Sequence, residues 1–314
     1  VSSPVSWPAG VQEAAEVVSA RPVGAYTHLV LRAPEAARRA QPGQFVACGT
    51  GDSGMLLRRS LSLHAADPEA GTLEVVVAAA GPGTRLLAAK RPGDVVSTTA
   101  PLGRPFPLPA PGTPAVVIGG GYGAAPLPWL ARVLTTGGSR VVGIVGAASA
   151  DRLLGTSAVD DATALDGIAD AVVVTTDDGS LGAPGRVTDA LPEVLLELSE
   201  LGEPAVYACG PMPMLRSVHT TTREVLGERA QTWLAVEESM ACGVGVCMTC
   251  VLPVVDLDDD DTPTRMLRAC TAGPVFDGDA LRWDAIGAAP HLRGGALVPD
   301  DAVGAPVVGR AGGH

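Results

Sequence analysis

In the stretch Cys242-Gly243-Val244-Gly245-Val246-Cys247-Met248-Thr249-Cys250, three cysteines follow the spacing Cys-x4-Cys-x2-Cys, and a fourth, Cys270, comes after 19 intervening residues. Four of the chain's six cysteines thus fall in one segment. This spacing, completed by one distant cysteine, is a known way of holding a [2Fe–2S] cluster. A loop around a cluster must bring backbone N–H groups close to the sulfides and turn sharply between ligands. Gly243 and Gly245 permit the close approach and any positive φ the loop needs. Two other readings stay open. Structural zinc sites usually pair one Cys-x2–4-Cys with a second, and here the second half is a single residue. Disulfide frameworks suit small secreted chains rather than one of 314 residues.

Composition fits an intracellular globular protein. The length allows about two domains plus a small module, and 46% hydrophobic residues can fill real cores. No stretch reads as a secretory signal, and no run of 18 or more apolar residues is free of charges or Pro/Gly breaks, so no membrane association is expected. A cytoplasmic location follows, which also suits thiolates kept reduced. A net charge of −12 argues against a nucleic-acid partner. Lys90 is the only lysine among the basic residues, a bias of coding rather than of function.

The first hundred residues read as strands and turns. Candidate strands are 13–19, 26–32, 44–47, 60–64, 73–79 and 94–99, punctuated by Gln41-Pro42-Gly43 and Arg91-Pro92-Gly93. Six short strands with even turn signals predict a small antiparallel barrel. One helix is expected at 84–90, after Gly81-Pro82-Gly83-Thr84, with Thr84 as its cap and its first N–H groups as an anion site. Upstream, Arg58-Arg59-Ser60-Leu61-Ser62 offers Arg59 for bidentate contact with a pyrophosphate and Ser62 as a hydroxyl donor. Alone, either motif also fits a solvated edge or a plain turn. Together, ahead of a nucleotide domain, they favour a flavin diphosphate site.

The middle of the chain changes period. A short buried strand at 115–118 runs into Gly119-Gly120-Gly121-Tyr122-Gly123, then a helix to about residue 134. Further apolar strands at 141–145, 171–175 and 205–208 alternate with helices that include 188–200 and 212–226, which predicts a parallel sheet covered on both faces. The glycine run, at the first strand-to-helix turn, reads as a dinucleotide phosphate site through Gly119, Gly120, Gly121 and Gly123. Thr176-Asp177-Asp178-Gly179-Ser180-Leu181-Gly182 and Cys209-Gly210-Pro211 follow later strands in equivalent positions. Cys209 and Gly210 are therefore candidates to line a nicotinamide, although Cys209 also fits as a small buried residue. Asp151 opposes the 2′-phosphate of NADPH, with Arg152 beside it, so NADH is the expected dinucleotide. Cys48 reads as structural.

Beyond the cysteines, the acidic run 256–261 reads as a solvated hairpin tip, 276–283 as a returning strand, and 286–314 as a disordered tail. The expected units are a flavin-binding barrel at 12–108, a nucleotide-binding α/β domain at 113–230, a cluster module at 231–285 and the tail.

The order of these pieces resembles the electron-transfer subunits of NAD-dependent, two-subunit dihydroorotate dehydrogenases, within the ferredoxin–NADP reductase superfamily. The resemblance spans about residues 12–285. It rests most specifically on Glu238-Ser239-Met240-Ala241-Cys242-Gly243-Val244-Gly245-Val246-Cys247, and further on Arg-x-x-Ser, Gly-x-Gly-Thr, the glycine-rich turn, Cys-Gly-Pro and the 176–182 loop. The wider superfamily usually has an aromatic at the Leu61 position, and an aliphatic residue marks this branch. Three departures stand out: Ser60 where the family commonly has Pro, a long gap before Cys270, and a tail without a counterpart.

By position, the resemblance implies FAD contacts from Arg59, Ser60, Leu61 and Ser62, from the backbone of Val76, Val77 and Ala78, and from Gly83 and Thr84. It implies Cys242, Cys247, Cys250 and Cys270 as ligands of the [2Fe–2S] cluster, and NAD as the hydride partner. It further implies a relay from NADH through FAD and the cluster to the FMN of a separate dihydroorotate dehydrogenase catalytic subunit, in a heterotetramer of two chains of each kind. A reductase subunit serving a hydrogenase or an oxygenase, or a flavin-free redox sensor, would share the same motifs.

Overall fold

Alternation with period two makes the first third of the chain a barrel. The computed structural model describes residues 10–227, 230–255 and 264–286; the acidic run 256–261 and the expected tail lie outside them except for Ile286, which is buried in the core rather than part of a disordered tail. Strands β1 (Val11–Val23), β2 (Tyr26–Arg32), β3 (Phe45–Cys48), β4 (Arg59–Asp67), β5 (Thr72–Ala78) and β6 (Val95–Leu102) close in the order β1-β2-β5-β4-β3-β6, all antiparallel. Every second residue of a strand faces inward. Leu29 and Leu31 of β2, Leu61 and Leu63 of β4, and Leu73, Val75 and Val77 of β5 accordingly fill the barrel. Each such side chain, fully buried, contributes about 1.5–3 kcal/mol. A four-residue helix, α1 (Pro34–Ala37), follows β2, and α2 (Pro82–Ala88) follows β5.

The helix expected at 84–90 starts two residues earlier. Gly81 is its N-cap, and Thr84 sits three residues on, where its hydroxyl accepts from the Gly81 N–H at 2.9 Å. Thr84 therefore serves the cap from inside the helix. Pro82 explains the shift, because its fixed φ suits the first helical position and its missing N–H costs nothing there.

The second layer is a seven-stranded sheet. It comprises β7 (Ala115–Gly120), β8 (Val141–Ala147), β9 (Ala171–Thr176), β10 (Ala183–Pro184), β11 (Ala205–Gly210), β12 (Thr232–Val236) and, later in the chain, β15 (Val275–Asp277). Its order is β10-β9-β8-β7-β11-β12-β15, parallel except for β15. From β7 the chain winds outward to β10, then returns to the other side of β7 with β11. The carboxyl ends of β7 and β11 thus flank the crevice where such sheets bind ligands. Helix α3 (Leu127–Thr136) packs on one face of the sheet, α4 (Val187–Ser199) and α5 (Met212–Leu226) on the other.

The segment 231–285 contributes two strands to the sheet and a hairpin of its own. β12 and β15 complete the parallel sheet, while β13 (Val251–Val254) and β14 (Arg265–Arg268) form a separate hairpin, followed by the short α6 (Ala269–Ala272). The strand expected over 276–283 ends at Asp277, whose carboxylate accepts from the Asp279 N–H and caps a 3-10 turn over Gly278–Ala280. One apolar core joins all parts: Phe45, Ala47 and Leu102 of the barrel, Ile118 and Ile144 of the sheet, and Cys250, Leu252 and Cys270. No helix among the described residues is long and apolar enough to cross a membrane.

Tyr207 pins the connection between barrel and sheet. It is fully buried on β11, stands edge-on to Phe106 at 5.6 Å, and donates its hydroxyl to the Pro107 carbonyl at 2.9 Å. Tyr207→Phe keeps the ring contact and leaves that carbonyl unpaired, so it should cost about 0.5–1.5 kcal/mol. Differential scanning fluorimetry should show the apparent melting temperature falling by about 1–2 °C.

Candidate functional site

The four cysteines meet because of a strand register. Cys250 precedes β13 and Cys270 follows β14, and the hairpin pairs Val251 with Arg268. The ends of the 19-residue separation are thereby folded back together, with the Ala269 N–H donating to the Cys250 carbonyl at 2.8 Å and the Cys270 N–H lying 3.4 Å from Cys250 Sγ. On the other side, the amides of Val244, Val246 and Cys247 converge on Cys242 Sγ at 3.5, 3.3 and 3.5 Å. Gly243 and Gly245, at φ +73° and +81°, make this turn possible, and Met248 joins them at +62°. Arg268 pins the loop by donating to the Gly245 carbonyl at 2.9 Å, and Thr249 does so by donating to the Ser239 carbonyl at 2.6 Å.

All six cysteines are free thiols, which removes the disulfide reading. The cysteines associate in two pairs through backbone amides, Cys247 N–H with Cys242 Sγ at 3.5 Å and Cys270 N–H with Cys250 Sγ at 3.4 Å. Among the described residues, the one His, Cys, Asp or Glu group of three within 4.8 Å of one another lies elsewhere, so no three of these sulfurs are that close. One tetrahedral zinc with thiolates at about 2.3 Å would need every sulfur about 3.8 Å from every other. Two pairs suit two irons, each taking two thiolates. Burial pushes the Cys242 thiol up, but the surrounding amides and Cys247 outweigh it and bring the thiol down to about 6. Burial and the neighbouring Cys250 push Cys270 up to about 12. Amide donors aimed at sulfur are what a bound, fully ionised thiolate requires.

The loop is seated on the barrel. A Cβ at Gly243 would meet Leu102 at 3.0 Å and Phe45 at 3.4 Å, and Ser60 donates its hydroxyl to the Met240 carbonyl at 3.0 Å. Ser60 is thus engaged with the cysteine loop. Next to it, the Arg59 guanidinium lies over Gly83, where a Cβ would come within 2.3 Å of Nε. The strand motif and the glycine turn therefore meet in space as a cradle, and a side chain at position 83 would push the Arg59 guanidinium aside. Arg58 points elsewhere, bracing the barrel through Ala47 and Ser97. Leu61, 4% exposed, lies among the core side chains and offers a flavin little of itself. Ser62 pairs with Phe45 on the adjacent strand. On β5, Val77 is buried and the Val76 carbonyl accepts from the Tyr122 hydroxyl at 2.7 Å, whereas Ala78 opens onto a cavity.

That cavity, about 810 Å³, lies between the end of β5 and the carboxyl ends of β7, β8, β9 and β11. The four glycines divide within it. A Cβ at Gly119 would strike Ala124 at 2.6 Å and one at Gly123 the Cys209 backbone at 2.4 Å, so these two serve close packing. Gly120 and Gly121 line the cavity, and Gly121 adopts φ +54°. Cys209 is 3% exposed and does not line it, its thiol raised by burial and then by Glu237, whereas Pro211, beyond Gly210, does. Asp151, Arg152, Asp177 and Arg186 supply charges of both signs at the far end.

Three residues of the wall carry no sequence signal as singletons. Tyr26 donates to the Arg152 carbonyl at 2.7 Å, Tyr122 ties the glycine turn to β5, and Glu237 stands where the surrounding protein raises its carboxyl above the ordinary range. Only Glu237's place in the segment leading to Cys242 could have flagged it.

Residues 237–282 match the family model of the iron–sulfur cluster binding domain of dihydroorotate dehydrogenase B. The chain is 40% identical over 242 residues to the dihydroorotate dehydrogenase B (NAD(+)) electron transfer subunit of Bacillus caldolyticus, across 75% of this chain and 84% of the relative. The subunit of the same name from Geobacillus thermodenitrificans is 37% identical over 269 residues, across 84% and 96%. Among solved structures, an NADH-dependent reduced ferredoxin-NADP oxidoreductase, studied for flavin-based electron bifurcation, superposes with a TM-score of 0.71 at 27% identity, covering 87% and 91% of the two chains.

The cradle makes a specific claim. Gly83→Ala pushes the Arg59 guanidinium off the turn and should weaken flavin binding roughly tenfold, by misplacing the group that would grip the diphosphate. Gly81→Ala is the control, since a Cβ there meets nothing within 4 Å. Fluorescence titration of deflavinated protein with FAD would measure both, and equal affinities would remove the cradle.

Proposed function

The chain belongs to the family of electron-transfer subunits of NAD-dependent dihydroorotate dehydrogenase B, and we propose that it passes electrons between NAD(H) and a dihydroorotate dehydrogenase catalytic subunit in the cytoplasm. The observation that carries this reading is the two-paired cysteine loop seated directly on the barrel strand that bears Arg59. FAD and the cluster supply the chemistry when bound: the flavin takes two electrons as a hydride and the cluster carries them one at a time.

The work would divide among a flavin barrel at 12–108, a nucleotide domain at 113–230 and a cluster module at 231–285 whose first and last strands, β12 and β15, complete the nucleotide sheet. Arg59 and the Gly83 turn would grip the FAD diphosphate, with Ser62 and the end of β5 beside them. Gly120 and Gly121 leave room for a dinucleotide at the crevice between β7 and β11, and Tyr26, Tyr122 and Glu237 shape its wall. Cys242 and Cys247 would hold one iron, Cys250 and Cys270 the other. Ser60 holds the cysteine loop against the flavin strand through Met240. Hydride and electron transfer need no acid or base from the chain, so its contribution is spacing, orientation and exclusion of water.

A partner is supported by what surrounds Cys247, the exposed cysteine of the four. Val244, Val246 and Met248 on the same loop are 51%, 78% and 53% exposed, apolar side chains in water beside the outlet of the site. An apolar surface of this kind marks a protein interface. An FMN-containing catalytic subunit would cover it, in a heterotetramer of two chains of each kind.

Co-expression with a dihydroorotate dehydrogenase catalytic subunit should give a stable complex with NAD-dependent dihydroorotate oxidation, and this chain alone should show none. Within the complex, Cys247→Ala should abolish transfer to the catalytic subunit while NADH still bleaches the flavin in rapid mixing. Loss of both together in a folded variant would contradict the separation of the two sites.

A further inference from the structure

We propose that His28, His64 and Glu74 form a binding site for a divalent transition-metal ion of the zinc type, in the seam between the barrel and the nucleotide sheet. One ring nitrogen from each histidine and a Glu74 carboxylate oxygen all lie within 4.8 Å of one another. Two imidazoles and a carboxylate are a donor set zinc uses, with water in the fourth position.

Strand register builds the site. His28 pairs with Val76 and Val30 with Glu74 across β2 and β5, which puts His28 and Glu74 diagonally on one face. That face is the outer one, because Leu29, Leu31, Leu73 and Val75 fill the barrel while Val76 packs into the core of the nucleotide sheet. His64 enters where the pairing of β4 with β5 slips between Leu63 and Ala65. A bulge of this kind re-aims a side chain. The His64 Nδ1 is turned onto the Ala125 carbonyl at 2.5 Å, across the seam.

That contact is the outer-shell bond of a metal-binding imidazole: a carbonyl accepting from Nδ1–H fixes the tautomer that presents a lone pair at Nε2. On the other side, His28 Nε2 lies 2.8 Å from Glu74 Oε2, which sets these two donors side by side. The rings stand edge-on at 5.4 Å, both almost wholly buried, while the Glu74 side chain is 30% exposed and gives an ion its way in. The nearby cation, Arg21, is occupied by Asp160 at 2.5 Å. An ion here would tie β2, β4 and β5 to the turn ahead of α3.

The holoprotein, desalted and kept anaerobic, would be titrated with Zn²⁺ against a chelating indicator, with iron and sulfide assayed alongside. The expected result is one zinc per chain with cluster iron unchanged, and a zinc X-ray absorption spectrum of nitrogen and oxygen neighbours at about 2.0–2.1 Å with imidazole scattering. His64→Ala should weaken binding by at least roughly 100-fold, the upper range for losing a mere outer-shell partner. The partly exposed Glu74→Gln tests the site without emptying the seam, and should weaken binding by about 10-fold or more. Absence of stoichiometric binding at micromolar zinc, sulfur neighbours in the spectrum, or unchanged affinity in either variant would overturn the site.

Discussion

A cluster ligated by residues far apart in sequence depends on something that holds their ends together, and here that is the pairing of Val251 with Arg268. Slipping this hairpin by one residue would turn every side chain to the opposite face and carry Cys270 away from Cys250. The same register delivers Arg268 to the Gly245 carbonyl, so one pairing sets both halves of the cysteine loop. Burial secures it: Leu252 and Val254 of β13 lie in the core shared by barrel and sheet, while β14 stays exposed.

This shared core also explains why the loop sits against the barrel rather than beside it. Gly243 has no side chain to hold it off Leu102 and Phe45, and Ser60 adds a hydrogen bond from the strand that carries Arg59. A proline at position 60 could not make that bond, since it has no hydroxyl. The serine gives this chain a polar tie between the flavin strand and the cysteine loop.

Much of this was legible in the sequence, for identifiable reasons. Period-two alternation gave away the six barrel strands, and alternating strands and helices gave away the parallel sheet. The cysteine spacing marked all four thiols that converge. What stayed hidden depends on contacts between segments. The pairing of Cys250 with Cys270 needs the hairpin register, and the Arg59–Gly83 contact needs barrel closure. Thr84 reads as a cap until Pro82 is seen to occupy the first helical position. The division of labour among Gly119, Gly120, Gly121 and Gly123 needs the neighbours each would strike. His28 and Glu74 lie 46 residues apart, and no local pattern announces that a bulge brings His64 to them.

The antiparallel strand β15 has one more consequence. It returns beside β12 so closely that the Val236 N–H donates to the Pro274 carbonyl at 3.0 Å. The described residues between them, the four cysteines included, lie outside the seven-stranded sheet, and the chain rejoins it beside the strand it left. The geometry is that of a cassette: neighbouring ends on a rigid frame are where folds accept insertion and excision. Exchanging the cassette would also uncover Phe45 and Leu102, against which Gly243 packs, and the core that Leu252 and Val254 help to fill.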